Sequence, residues 1–209
     1  LTIRSIINRG GEQGAQHSQS LHAWFAHVPG LRVVMPATVA DARDLMNAAV
    51  LSPDPVLYID DRWLYDLEDE LPPIEERPLH LEGPRCLRHG DDVTLVASGY
   101  STRLALVAAE QLALDGISAE VIDLRVINPY RPELVVESVA RTGRLLAVDG
   151  GWGPCGMAGE VIASVAESGA NLLWKSPPRR VTLPFSPAPT SRELEKIYYP
   201  NADMVAASA

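Results

Sequence analysis

Apolar positions along the first part of the chain follow strand-like and helix-like periods in turn. Residues 1–7 alternate apolar and polar side chains, as a half-buried β-strand does. Short apolar runs at 31–35 and 56–59 predict two more strands, and 39–51 repeats apolar residues at helical spacing. Strands and helices therefore alternate, which favours a parallel sheet.

The second half of the chain repeats this alternation after a stretch of different composition. Residues 67–84 are acidic and rich in proline, with little periodicity, and predict a linker. Beyond it the pattern predicts strands at 93–97, 119–124, 145–148 and 181–183, and helices at 102–114, 132–142, 157–167, 191–198 and 202–207. We place the domains at 1–70 and 85–209, with residues 71–84 as the linker.

Composition and charge exclude several classes of function. The 209 residues are 46% hydrophobic and 22% charged, an ordinary globular mixture. The net charge of −9 argues against nucleic-acid partners and against anionic membranes. Cys86 and Cys155 are too few for a disulfide framework, so we expect a reducing compartment and a cytoplasmic location. No apolar run reaches the length of a bilayer, and no secretory signal is visible.

One histidine follows a glycine-rich run and is the strongest candidate for chemistry. Residues 9–14 read Arg-Gly-Gly-Glu-Gln-Gly, and His17 comes three residues later. Ser18 and Ser20 are natural N-cap residues for a short helix behind it. The apolar residues that follow at helical spacing predict one apolar face: Leu21, Trp24, Phe25 and Val28. At the positive end of that helix the imidazole would be neutral, able to donate a hydrogen bond or transfer a proton. The alternative is a loop histidine that only caps or packs.

The segment around His17 resembles a known family. Residues 14–38 read GAQHSQSLHAWFAHVPGLRVVMPAT. They are similar to the His-Ser-Gln segment of the beta subunit of the decarboxylating component of 2-oxo-acid dehydrogenase complexes. These are the thiamine-dependent pyruvate, branched-chain and acetoin enzymes. Arg4, Gly10, Gly11 and His17 keep the spacing of that family. Further segments with the same resemblance are spread over nearly the whole chain, at 60–65, 121–125, 142–145 and 194–200.

This resemblance implies an α/β fold and a function. Residues 1–70 would be the later half of a thiamine pyrimidine-binding domain, and residues 85–209 a transketolase C-terminal-like domain with a mostly parallel sheet. The chain would be the beta subunit of a thiamine-diphosphate-dependent 2-oxo-acid dehydrogenase, which decarboxylates a small 2-oxo acid and passes the acyl group to lipoamide. His17 would face the reacting carbon, transfer protons and assist acyl transfer to the lipoyl arm.

The resemblance also implies partners and ions. Thiamine diphosphate and Mg²⁺ would be shared with an alpha subunit, because the Gly-Asp-Gly motif for the diphosphate belongs to that subunit in the family and is absent here. The glutamate for the pyrimidine ring is also absent, since in the family it lies in the first half of the beta subunit's pyrimidine-binding domain. A second beta subunit and a lipoyl acyltransferase core would be further partners. Ala49, Val50, Ser52 and Asp54 match a potassium-binding turn of the family, for which a plain helix stop is the alternative.

Other motifs carry less weight. Gly151-Trp-Gly-Pro-Cys-Gly156 fits the dinucleotide-binding pattern G-x-G-x-x-G, but Pro154 removes one backbone donor and the expected acidic residue is missing from residues 171–176. We interpret it as a tight structural turn. His17, His22 and His27 are spaced by five and cannot share one metal, and no zinc or serine-hydrolase motif is present.

Two rival functions stay open. One is a non-catalytic assembly module with a remnant catalytic loop, whose incomplete sheet leaves an unpaired edge that takes a partner. The other is a nicotinamide oxidoreductase. Since the sequence begins without methionine inside a predicted strand, we expect an incomplete domain, a processed product or a truncated chain.

Overall fold

The first part of the chain forms three strands and three helices. The computed structural model describes residues 1–74, 76–169 and 172–209, so residue 75 of the predicted linker and residue 171 of the stretch tested for an acidic residue lie outside the described residues. The elements in order are β1 (Thr2–Ile7), α1 (Gly14–His17), α2 (His22–Ala26), β2 (Arg32–Val34), α3 (Val39–Val50) and β3 (Val56–Asp61). Two 3-10 turns follow, Arg62–Leu64 and Leu79–Leu81.

The rest of the chain contributes six strands and five helices within the described ranges. They are β4 (Arg85–Arg88), β5 (Val93–Ala97), α4 (Tyr100–Leu114), β6 (Ala119–Asp123), β7 (Val126–Asn128), α5 (Glu133–Thr142), β8 (Leu145–Trp152), α6 (Met157–Glu167), β9 (Arg179–Leu183), α7 (Arg192–Tyr198) and α8 (Ala202–Ser208). None of the helices described here combines the length and the hydropathy needed to cross a bilayer.

Two sheets organise these elements. The first has the strand order β1-β3-β2-β7, with β7 antiparallel to β2 and the other pairs parallel. The second has the order β4-β6-β5-β8-β9, with only β4 antiparallel. The predicted α/β class with mostly parallel sheets is therefore confirmed. Strands β4 and β7 were not predicted, because they have four and three residues and form no apolar run of their own.

The two sheets share one hydrophobic core. Strand β7 lies in the second half of the sequence but pairs with β2 of the first sheet. One cluster of buried side chains joins Val33 and Leu57 of the first sheet to Val96 and Ile122 of the second. The division into residues 1–70 and 85–209 stays a prediction, and the two parts pack as one body through this core.

A buried charge network lies where β6 turns into β7. Arg125, at a φ of 56°, donates through Nη2 to Asp41 Oδ1 (2.7 Å) and through Nη1 to Glu82 Oε2 (2.7 Å). The neighbouring carboxyl of Asp123 is fully buried and accepts a hydrogen bond from Thr102 Oγ1 at 3.0 Å. Burial and the nearby charge of Asp41 raise the pKa of Asp123 to about 7. The network ties α3 and the segment just before β4 to the turn between β6 and β7.

Candidate active site

The glycine-rich loop after β1 is attached at its start to both sheets. Arg9 is buried, and its Nε donates to Asp61 Oδ2 at the end of β3 (2.8 Å). Its Nη1 donates to the carbonyl of Gly150 in β8 at 3.5 Å. A Cβ at Gly150 would overlap the guanidinium, so the close approach requires glycine there. The sequence analysis assigned no role to Arg9 beyond the glycine-rich run, since its partners are 52 and 141 residues away.

Two glycines of the loop are required by their surroundings. Gly10 has a φ of 62°, and a Cβ on it would lie 2.7 Å from Trp63 Cζ2. Gly14 has a φ of 64°, and a Cβ on it would overlap the side chain of Thr190. Both combine the left-handed backbone that glycine adopts without strain with a neighbour that leaves no room for a side chain. The loop is therefore shaped by contacts with distant parts of the chain.

Helix α7, near the end of the chain, packs against the same loop. The backbone N–H of Glu12 donates to Glu195 Oε1 at 3.0 Å, and Arg192 Nη2 lies 3.3 Å from Glu12 Oε2. The ring of Trp63 contacts the ring of Tyr199, which follows α7, with centroids 5.5 Å apart. The C-terminal part of the chain thus holds the loop that precedes the candidate histidine.

His17 is the last residue of α1 and its side chain is exposed. The sequence analysis placed it before a helix, at the positive end of a helix dipole. That placement is wrong, because the residues before His17 form a short helical turn of their own and the next helix begins only at His22. The dipole argument for a neutral imidazole therefore does not apply. Exposure leaves the ring free to meet a ligand or a partner chain.

The predicted N-caps and the predicted apolar face also differ from the structure. Helix α2 is preceded by Leu21, with no side-chain cap from Ser18 or Ser20. The apolar face exists, but Trp24 is 73% exposed and Val28 is 45% exposed, so this face points to solvent and not into the core. An apolar helix face in this position is available to another polypeptide.

The serine at position 20 serves instead a buried His22–Asp149 pair. His22 Nε2 lies 2.9 Å from Asp149 Oδ1, and Ser20 Oγ lies 3.3 Å from His22 Nδ1. Asp149 also accepts from the N–H of Gly151 at 2.8 Å and of Ala158 at 3.0 Å. Burial acts to raise the pKa of Asp149, but His22 and these two N–H groups outweigh it and hold the pKa below its ordinary value. The pair fixes the chain beyond His17 to the carboxyl end of β8.

Sequence reasoning considered His22 only as a metal ligand and missed this role. A detectable signal was an aspartate at the end of a predicted strand, directly before two glycines. In the Gly151–Gly156 segment, Gly151 and Trp152 end β8, and residues 153–156 form the turn that leads into α6. Because the Asp149 carboxylate already bonds the Ala158 N–H at the start of α6, that helix end is not free for a pyrophosphate.

Arg4 and the residues of the predicted potassium turn lie outside the glycine-rich loop. Arg4 pairs with Asp60 and donates to Tyr65 Oη at 2.9 Å, so it forms a structural ion pair. In the predicted potassium turn, the Ala49 carbonyl accepts from Thr2 Oγ1 at 2.8 Å.

The last residue of that turn has a charged partner as well. Asp54 Oδ2 lies 2.7 Å from Arg32 Nε, and the N–H of Asp54 donates to Ser52 Oγ at 3.2 Å. Val50 is exposed at the end of α3. Because Arg32 is paired with Asp54, it neutralises the negative charge that a bound cation would need. The potassium site stays a prediction.

Comparison with protein families identifies both parts of the chain. Residues 1–66 match the family described as transketolase, pyrimidine binding domain, and residues 84–205 match transketolase, C-terminal domain. The solved structure of a protein named "Split gene transketolase, inactive beta4 tetramer" superposes with a TM-score of 0.77 at 26% identity, covering 99% of this chain and 64% of that one.

Curated relatives match along the full chain. The acetoin:2,6-dichlorophenolindophenol oxidoreductase subunit beta of Cupriavidus necator is 38% identical over 209 residues, 100% of this chain and 61% of the relative. The pyruvate dehydrogenase E1 component subunit beta of Rhizobium meliloti is 39% identical over 96% of this chain and 44% of its own length. The 2-oxoisovalerate dehydrogenase subunit beta of Bacillus subtilis is 38% identical over 95% of this chain and 61% of its own length. The chain spans about 60% or less of the length of these relatives.

Proposed function

Because the chain belongs to the transketolase family of thiamine-dependent enzymes, we propose that it acts in the beta subunit of a 2-oxo-acid dehydrogenase. The observation that carries this proposal is the match, over the whole chain, to beta subunits named for acetoin, pyruvate and 2-oxoisovalerate oxidation. The reaction is the oxidative decarboxylation of a small 2-oxo acid with acyl transfer to lipoamide. The complex works in the cytoplasm, in agreement with the two unpaired cysteines.

The residues of this chain suit the reacting end of thiamine diphosphate and not its diphosphate end. Two buried carboxylates that anchor this part of the chain, Asp61 and Asp149, are occupied by Arg9 and His22, and neither is free to hold Mg²⁺. The exposed imidazole of His17 is free to face a reacting group. An alpha subunit therefore supplies the diphosphate and Mg²⁺ site, as the absence of a Gly-Asp-Gly motif also implies.

His17 carries the chemistry that this chain contributes. Bound thiamine diphosphate supplies the nucleophilic carbon and the electron sink for loss of carbon dioxide. The His17 imidazole donates a hydrogen bond to the negative charge that develops on the substrate oxygen and transfers a proton at that position. Because the loop is held by Arg9, α7 and the His22–Asp149 pair, the imidazole reaches the substrate without further ordering of the loop.

Partner subunits complete the first sheet. Strand β1 has no neighbour on its outer side among the described residues, and both of its faces are uncovered: Ile3 is 51% exposed and Ile6 is 46% exposed. Apolar side chains on both faces of an edge strand need cover from other polypeptide. A second beta subunit, the alpha subunit and the lipoyl acyltransferase core are the partners that this function requires.

The second candidate is a non-catalytic assembly module. The uncovered β1 edge favours it, and the name of the structural neighbour, an inactive β4 tetramer, describes such an assembly for that protein. In this alternative the glycine-rich loop is retained only for its contacts with α7 and β8.

Reconstitution with matched histidine variants separates the two functions. The chain is mixed with an alpha subunit, thiamine diphosphate and Mg²⁺. Three reactions are then measured: decarboxylation of pyruvate, decarboxylation of 2-oxoisovalerate, and cleavage of acetoin. We expect His17→Ala to lower turnover at least about 100-fold, the scale of a general acid–base group. His27→Ala removes an exposed histidine of the same segment and should leave turnover unchanged. Assembly without turnover in any mixture would support the module, and full activity of His17→Ala would remove His17 from the reaction.

A further inference from the structure

Three potential metal ligands lie together at the β4 edge of the second sheet, outside the candidate active site. Cys86 Sγ is 3.5 Å from His89 Nδ1 and 3.7 Å from Glu120 Oε1. His89 Nδ1 is 3.5 Å from Glu120 Oε1. The β4–β6 pairing is irregular between Cys86 and Arg88, and this irregularity brings the strand, the following turn and β6 to one point.

The spacing of the three atoms matches that of zinc ligands. Zinc binds sulfur at about 2.3 Å and nitrogen or oxygen at about 2.0–2.2 Å, so a tetrahedral site separates its ligand atoms by about 3.3–3.7 Å. All three measured separations fall at this value. We propose that Cys86, His89 and Glu120 bind one Zn²⁺, with the fourth position open to solvent beside the exposed His89 ring.

A neighbouring arginine takes the place of the cation when the metal is absent. Arg141 Nη2 lies 2.6 Å from Glu120 Oε1, and Arg141 Nε lies 3.2 Å from Asp91 Oδ1. Glu120 is buried, and Arg141 is its charged partner at this position. Since the Arg141 side chain is 46% exposed and has Asp91 as a second partner, it can turn away when Zn²⁺ binds.

The sequence did not reveal this site because its ligands are not contiguous. Cys86-x-x-His89 supplies only two ligands, and the third comes from the next strand of the sheet, 34 residues after the cysteine. A bound ion would tie the edge strand β4 to β6. Its role would be structural, since it would stiffen the strand that follows the Leu79–Leu81 turn.

Metal titration of the full chain tests the proposal. After treatment with a chelator, Zn²⁺ alone is titrated by calorimetry, and Co²⁺ is titrated with detection of the thiolate-to-cobalt charge-transfer band. We expect one ion per chain and a thiolate band. Cys86→Ser should abolish the band, and His89→Ala, at a side chain 92% exposed, should weaken binding at least about tenfold while leaving the fold intact. Cys155→Ser removes the other, exposed cysteine and should change neither measurement.

A charge variant distinguishes a metal site from a structural ion pair. Arg141→Gln removes one positive charge beside the ion and should tighten Zn²⁺ binding about tenfold or more. Weaker binding in Arg141→Gln, absence of the thiolate band, or one-to-one binding retained by Cys86→Ser would each overturn the proposal. Zinc should also raise the melting temperature of the wild-type chain and not that of Cys86→Ser.

Discussion

Removing the Asp149 carboxylate should destabilise the chain strongly, because this side chain serves three buried partners. Asp149→Ala leaves His22 and the N–H groups of Gly151 and Ala158 without their acceptor. A buried donor left without its acceptor costs about 1–3 kcal/mol, so the loss of the acceptor shared by these three groups should cost about 3 kcal/mol or more. For a chain of this length, 1 kcal/mol corresponds to about 2–4 °C in melting temperature, so we expect a fall of about 6 °C or more.

The pH dependence of Asp149→Asn gives a second measurement of the same interaction. The pKa of Asp149 in the folded chain is below its ordinary value of 3.8, so the carboxylate stabilises the fold fully above that value. This stabilisation is lost as the pH falls through the lower folded pKa. The difference in stability between wild type and Asp149→Asn should therefore be large at pH 7 and shrink below about pH 4.

Thermal unfolding followed by circular dichroism measures both effects. Asp66→Ala is the matched control, because Asp66 is exposed and its side chain makes no hydrogen bond or ion pair within the described part of the chain. In a double-mutant cycle with His22→Ala, the coupling to Asp149→Ala should be about 1–3 kcal/mol. A melting temperature of Asp149→Ala within about 2 °C of wild type would refute the assigned role of the pair.

Two further substitutions test the raised pKa of Asp123 in β6 and the left-handed backbone of Gly143 at the end of α5. Since burial and Asp41 raise the pKa of Asp123 to about 7, the folded chain holds a proton that the unfolded chain releases above about pH 4, so stability falls as the pH rises to 7. Asp123→Asn should remove this fall and exceed the wild-type stability at pH 8 by up to about 4 kcal/mol in urea unfolding, with little difference near pH 4. Gly143→Ala should cost about 2–3 kcal/mol in the same assay, because Gly143 has a φ of 71° and a Cβ would lie 2.7 Å from the Leu173 carbonyl. Gly116→Ala is its control: the φ is 78° but the space is open, so only about 1 kcal/mol is expected.

Most of the fold could be predicted from the sequence because its strands and helices carry strong local patterns. Helix α6 begins and ends at the predicted residues, Met157 and Glu167, and β5 has its predicted bounds, Val93 and Ala97. The addition of β7 to the first sheet could not be predicted. It depends on Arg125, which has a positive φ. The two buried carboxylates that bind its side chain lie more than 40 residues away in the sequence.

The candidate site was less accessible to sequence reasoning, because its contacts are long-range. The loop and His17 were found from their glycines and their resemblance to a family. The predicted helix after His17 exists as α2, but the placement of His17 directly before it was wrong, because His17 ends a short helix of its own. The predicted apolar face is exposed at Trp24 and Val28. Arg9 and His22 bind partners across the chain, and no local period indicates such pairs.

The anchoring contacts explain why the second half of the chain matters for a histidine in the first half. Ordering each loop residue costs about 1–2 kcal/mol of backbone entropy, which an exposed loop cannot offset alone. Here the segment around His17 is held before it by Arg9 on Asp61 and Glu12 on Glu195, and after it by His22 on Asp149. Two of these three attachments come from β8 and α7. The C-terminal part therefore positions the loop that carries His17, the histidine that we propose to be catalytic, in its own chain.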